Sequence, residues 1–110
     1  MNPKVVHEKT SPQRECAPVV PLFKALAHPV RTAIVHRLVE GPADVSQLVE
    51  LVEESQPLVS HHLKVLRDAH LVRINRVGRN SHYELIDEHV ARIFMDAFNH
   101  AKEHDHDCKH

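Results

Sequence analysis

Asp87-x-His89 and, ten residues later, His100-x-x-Glu103 are the side chains of this chain best suited to holding a metal ion. Imidazole nitrogens and carboxylate oxygens together suit zinc or a neighbouring first-row ion. If residues 89–104 form a helix, His89 and His100 lie about three turns apart and share a face. The same spacing separates them by roughly 16 Å along the axis, against ligand bonds of about 2 Å. One helix therefore cannot build one site from all four. Two antiparallel copies can, with Asp87 and His89 of one meeting His100 and Glu103 of the other, which predicts a symmetric dimer with two interfacial sites. The competing reading is a solvated helix face, because 12 of the 110 residues are histidine and an isolated His-x-x-Glu pair arises easily in such a chain.

The elements that must position these residues fit one domain of ordinary size. Hydrophobic residues make up 42 % but aromatics only 4 %, so Leu and Val must fill the core. No apolar run approaches a membrane span, and Met1-Asn2-Pro3-Lys4 does not open a signal peptide, so a soluble, cytoplasmic protein without a membrane partner is expected. Cys16 and Cys108 lie near opposite ends, form no C-x-x-C pair, and read as free thiols in the tails. The net charge of −1 hides an uneven distribution. Residues 61–82 hold Lys64, Arg67, Arg73, Arg76 and Arg79 against a single acid, Asp68, while acids collect at Glu40 to Glu54 and at Asp87 to Asp107. A basic stripe on a near-neutral protein contacts phosphates while the remainder repels them, which favours one docking orientation.

Residues 1–17 lack periodicity and read as a flexible tail. A first helix is expected over Val19 to Leu26, packing Leu22, Phe23 and Leu26. Pro29 suits the first turn of a second helix with Val30, Ile34 and Leu38 on one face, stopping near Gly41-Pro42. Asp44 can cap a third helix carrying Val45, Leu48 and Val52 inward, and Ser55 a fourth burying Val59, Leu63 and Leu66. After Leu71 the period becomes two: Val72 and Ile74, then Tyr83 and Leu85, flank Gly78-Arg79 as a hairpin. Asp87 caps the last helix, whose Val90, Ile93, Phe94 and Ala97 form an apolar stripe. The order α-α-α-α-β-β-α, mainly helical with a small hairpin, predicts a winged helix-turn-helix over residues 18–104, dimerising through its first and last helices. Residues 105–110 form a His-rich tail.

Burial of Val59, Leu63 and Leu66 leaves Gln56, Pro57, Ser60, His61 and Lys64 on the opposite face of the fourth helix. The N-terminal residues of such helices reach base edges in the major groove. Gln56 can bond adenine bidentately, Ser55, Ser60 and His61 can reach bases or phosphates, and Lys64 supplies a cation to the backbone. Arg76, Arg79 and Asn80 fall at the hairpin tip, near the flanking minor groove or phosphates. For each residue alone, a solvated surface role competes. Arg67 and Arg73 are expected as salt bridges or packing stems, and His7, His28, His36 and His62 as surface or packing residues, with His62 partly in the core.

Ser55-Gln-Pro-Leu-Val-Ser-His-His-Leu-Lys-Val-Leu-Arg-Asp-Ala-His-Leu-Val72 resembles the signature of the ArsR/SmtB family of metal-responsive repressors, and Ala25-Leu-Ala-His-Pro-Val-Arg-Thr-Ala-Ile34 is similar to the start of its second helix. The resemblance covers residues 19–104. One departure is Glu53-Glu54, where the family often has Gly and an apolar residue; this is expected to lengthen the third helix slightly. Thiolate sites in this family commonly use third-helix cysteines, which Asp44-Val-Ser-Gln-Leu48 lacks. The last-helix pattern D-x-H-x10-H-x2-E/H of its zinc and cobalt sensors is matched in full by Asp87, His89, His100 and Glu103. The resemblance implies an apo dimer that binds operator DNA and releases it when Zn(II), or alternatively Co(II) or Ni(II), binds two sites per dimer, derepressing efflux or sequestration genes. Nickel and cobalt sensors resembling this family add tail ligands, so His104, His106 and His110 are candidates, in a loose cluster with Cys108. The family's coupling also implies a relay from metal-bound His100 to a main-chain carbonyl near His70. A zinc hydrolase would want an H-E-x-x-H helix, which is absent, so no enzyme and no organic cofactor are expected. The remaining alternative is a repressor that senses redox state through Cys16 or Cys108.

Overall fold

The structure, a computed structural model, describes residues 11–108 and the side chains of residues 11–105. His7 and the side chains of His106, Cys108 and His110 lie outside the described residues.

A short helix precedes the expected first one. α1 (Pro12–Cys16) is capped by Ser11, whose Oγ accepts from the Arg14 N–H at 3.1 Å, and it buries no residue. The stretch expected as a featureless tail therefore carries one local signal, the Ser-Pro start, without any apolar period. α2 (Val19–Leu26) buries Ala25 and packs Leu22 and Leu26 against the core. Phe23, expected to pack there too, points outward at 57 % exposure beside exposed Val19 and Val20.

α3 (Pro29–Val39) is the central helix, burying Ile34, Val35 and Leu38. Its cap is a histidine: Nδ1 of His28 accepts from the Val30 N–H at 3.1 Å, with Pro29 in the first turn. α4 (Val45–Val52) starts with a capping box, in which Gln47 N–H donates to Asp44 at 2.8 Å and Asp44 N–H to the Gln47 side chain at 2.9 Å. The Glu53-Glu54 departure does not lengthen this helix. Glu53 adopts a left-handed conformation, φ 57, and its N–H closes on the Val49 carbonyl, so the helix stops there.

α5 (Gln56–Asp68) is capped by Ser55 and buries Val59, His62, Leu63 and Leu66. It ends in a Schellman motif around left-handed His70 (φ 60): Leu71 N–H reaches the Leu66 carbonyl and His70 N–H the Arg67 carbonyl, both at 2.9 Å. That turn delivers buried Leu71 and Val72 directly into β1 (Val72–Val77). β1 pairs antiparallel with β2 (Asn80–Leu85) from Val72↔Leu85 to Val77↔Asn80. The two-residue turn opens on Gly78 at φ 62, the backbone that tight hairpins need. Ala43 adds one bridge to the sheet, exchanging hydrogen bonds with Tyr83 at 3.0 and 2.7 Å.

α6 (Glu88–Cys108) closes the fold. Asp87 caps it, Oδ1 accepting from the Val90 N–H at 3.1 Å. Val90 and Phe94 are buried, Met95 and Phe98 pack against the core, and Ile93 and Ala97 stay exposed. Among the described residues no helix is long and apolar enough to cross a membrane.

Candidate DNA-reading face and metal ligands

The outer face of α5 is built by its inner one. With Val59, His62, Leu63 and Leu66 committed to the core, Gln56, Pro57, Ser60, His61 and Lys64 are left exposed along the opposite side. Ser55 accepts from the Leu58 N–H at 3.3 Å, which leaves its own O–H to donate to a phosphate. Lys64 is engaged with Asp68 at 2.9 Å, and the Lys64 bond holds the Asp68 carboxyl below the usual carboxylate range. Both side chains are about two-thirds exposed, so the pair is loosely held and Lys64 can exchange partners. Arg73 pairs across the strands with Glu84 at 2.7 Å, as its expected salt-bridge role requires. Arg67, expected to pair or pack, is exposed, and its side chain makes no hydrogen bond or close ion pair among the described residues. In the wing, Arg76 donates to Ser81 Oγ at 3.1 Å, and Arg79 and Asn80 are exposed at the turn.

Behind this face lies a contact that spacing alone did not suggest. The His62 ring is 4 % exposed and its centroid lies 4.5 Å from that of His28, the cap of α3. Neither His62 Nδ1 nor Arg31 Nε, both buried, has a hydrogen-bond partner. Burial pushes the His62 pKa down, and His28, Arg31 and His61 push it further, against a smaller opposing effect of Glu54. The sequence signal was His28 immediately before Pro29, a cap position. A third histidine, His36 of α3, stacks on Phe98 of α6 at 4.4 Å and lies 5.8 Å from the Phe94 ring. It joins the central helix to the one that carries the candidate metal ligands.

Those ligands fall into two pairs on one continuous helix. Asp87 Oδ2 lies 3.7 Å from His89 Nδ1 while its Oδ1 holds the cap, so one carboxylate oxygen is oriented and the other is available. Three turns on, His100 and Glu103 are exposed on the distal half of α6. His104 lies beside His100, ring centroids 4.4 Å apart. Among the described residues no three metal-binding side chains converge within the chain. The unbroken helix accounts for this, since it holds the pairs about 16 Å apart. The donors fit a borderline ion: two imidazoles and two carboxylates give an N2O2 set whose formal charge of −2 matches a divalent cation. His70 offers its carbonyl at the end of α5, and no hydrogen bond joins it to His100 among the described residues.

A capped recognition helix, an antiparallel wing and a central helix behind them define a winged helix-turn-helix, a DNA-binding architecture. Residues 28–73 match the family described as bacterial regulatory protein, arsR family. The chain is 49 % identical over 82 residues to the HTH-type transcriptional repressor SmtB of Mycobacterium tuberculosis, covering 74 % of this chain and 61 % of that one. It is 34 % identical over 86 residues to a cadmium resistance transcriptional regulatory protein CadC homolog of Staphylococcus aureus, covering 77 % of this chain and 71 % of the relative. Among solved structures, it superposes with a TM-score of 0.78 and 28 % identity on a homodimeric winged helix-turn-helix DNA-binding domain of Mycobacterium bovis, covering 86 % of this chain and 89 % of that one. The chain belongs to the arsR family of bacterial regulators, with SmtB-type repressors among its relatives. It spans 61 % of the length of the mycobacterial SmtB it matches.

Proposed function

We propose that this chain is a metal-sensing transcriptional repressor and not an enzyme, cytoplasmic and homodimeric. Its metal-free dimer binds operator DNA through Ser55, Gln56, Pro57, Ser60, His61, Lys64, Arg76, Arg79 and Asn80. Zn(II), held by Asp87 and His89 of one copy and His100 and Glu103 of the other, releases the operator and derepresses genes for metal efflux or sequestration. The observation that carries this reading is the pair of half-sites on one helix, each incomplete, in a chain whose polar recognition face is complete. Two further features support it: the exposed apolar residues Val19, Val20, Phe23 and Ile93 suit a dimer surface on α2 and α6, and a relative is named for cadmium resistance. His100, once ligated through one ring nitrogen, would donate from the other to a carbonyl near His70, tying α6 to the end of the recognition helix.

His104, whose ring lies 4.4 Å from that of His100, favours one second reading, in which Co(II) or Ni(II) recruits His104 and the tail residues His106 and His110.

Operator-binding anisotropy at fixed salt tests the proposal. Zinc is expected to weaken wild-type binding by about 5–150-fold, the usual range of coupling between sites. His100→Ala should bind the operator normally in chelator and lose that response. Unchanged wild-type affinity in zinc sinks the allosteric reading, and release by oxidant in place of metal would point to Cys16 or Cys108. The absorption spectrum of the Co(II) form separates four-coordinate from six-coordinate binding.

A further inference from the structure

The His28–His62 contact lies away from the candidate metal ligands and behind the recognition face, next to His61 of that face, and neither role uses it. Its geometry makes it intolerant of protons. His28 Nδ1 is an acceptor, holding the Val30 N–H at 3.1 Å, so that nitrogen must be unprotonated for α3 to be capped. His62, 4 % exposed and 4.5 Å away, has a buried Nδ1 with no acceptor to receive a proton's hydrogen bond. The surroundings are cationic. From α3 the pair faces Arg31, whose buried Nε is itself unpartnered, from α5 the adjacent His61, and from the α4–α5 turn the single acid Glu54. A second positive charge here gains no close counter-ion and loses a helix cap, and a buried, unpaired charge is expensive.

We propose that the His28–His62 pair is a proton-sensitive joint between the start of α3 and the recognition helix, so that mild acid loosens α5 and weakens operator binding without any metal. The sign follows from burial. His62 is held neutral in the fold, while in the unfolded chain a histidine titrates near its ordinary value of about 6.5. The stabilising effect of neutrality is complete above that pH and is lost as pH falls toward the lower folded value. Such a joint acts opposite to acid at the metal site, where protonating the ligands would strip the ion and restore DNA binding.

The full chain in chelator is titrated from pH 7.5 to 5.5, comparing wild type with His62→Gln and with His28→Asn, which keeps a capping side chain but does not titrate. Wild type should lose up to about tenfold in its folding constant per pH unit over part of this range, the limit for one proton, beyond the loss in either variant. Parallel loss in all three proteins overturns the joint. Should a variant fail to fold, ring-proton NMR of wild type decides: His62 must titrate below the ordinary histidine value of about 6.5, and a His62 value at or above it refutes the proposal. The operator arm rests on the DNA reading, which affinity at pH 7.5 tests by itself. Only the ratio of affinities between pH 7.5 and 5.5 tests the joint. It should fall several-fold more in wild type than in His62→Gln, because every other side chain of the recognition face is the same in both. Equal ratios remove the link to DNA.

Discussion

The recognition helix and the last helix make opposite use of one chain. α5 is finished by its own fold: capped by Ser55, closed by a Schellman turn at His70, and anchored by Val59, His62, Leu63 and Leu66. α6 is anchored only in its first half, through Val90, Phe94 and the His36 stack on Phe98, and every residue from Asn99 to Asp105 is exposed. The candidate DNA-facing side chains of Ser55 to Lys64 stand on the finished helix, and two of the four candidate metal ligands, His100 and Glu103, stand on the exposed distal half of the unfinished one. A sensor benefits from that division. Under the proposed function the reading head would keep its shape with or without a ligand, while the ligand-bearing arm would gain its order from a partner copy and an ion. Free energy gained there can then bias how two rigid heads are spaced.

The sharpest way to break this contrast is to damage each helix in turn. Leu63→Ala removes a side chain that is 1 % exposed at the centre of α5 and should cost about 2–5 kcal/mol of stability, read from the urea midpoint. A loss well under that range would mean the recognition helix also waits for a partner.

Next in size are the outward apolar residues of α2 and α6. Phe23 and Ile93 are 57 % and 44 % exposed in the chain, so Phe23→Ser or Ile93→Ser should leave the monomer's stability within about 0.5 kcal/mol. If these residues are buried between copies, each change should weaken dimerisation by about 1.5–3 kcal/mol, roughly ten- to hundredfold in dissociation constant by sedimentation. Unaltered self-association would place the partner surface elsewhere and leave the distal half of α6 without its proposed support.

The same division explains what the residues alone could convey. α3 to α6 were legible because apolar period and caps coincide: Ile34 and Leu38 behind Pro29, Leu48 behind Asp44, Leu63 behind Ser55, Phe94 behind Asp87. The switch to period two after Leu71 likewise marked the hairpin, with Gly78-Arg79 as its turn. Phe23 was misplaced because period identifies an apolar face without saying whether this chain or another covers it. α1 was missed because a five-residue helix that buries nothing has no period to find. The candidate ligands were legible as a pattern, and the distance between the two pairs follows from helix geometry alone. The His28–His62 contact was not, since it joins two helices through a cap, and Glu53 was read by side chain when its backbone decides.

Glu53 sets the smallest test and the most local one. A non-glycine residue in left-handed conformation carries a penalty of about 1–2 kcal/mol, and here it ends α4 directly before the recognition helix. Glycine at this position removes that strain but gives the unfolded chain more freedom to lose. The balance favours Glu53→Gly by about 0.5–1 kcal/mol, seen as a higher urea midpoint with an unchanged slope. Deleting a carboxylate from the turn beside the DNA-facing helix should also raise operator affinity modestly, and more at low salt than at high, since an exposed charge is screened. A stabilised protein with unchanged operator affinity would locate Glu53 away from the phosphates while leaving the turn geometry intact. A destabilised one would mean that the glutamate side chain holds the helix-turn-helix together, and that the reading head is less self-sufficient than its core and caps imply.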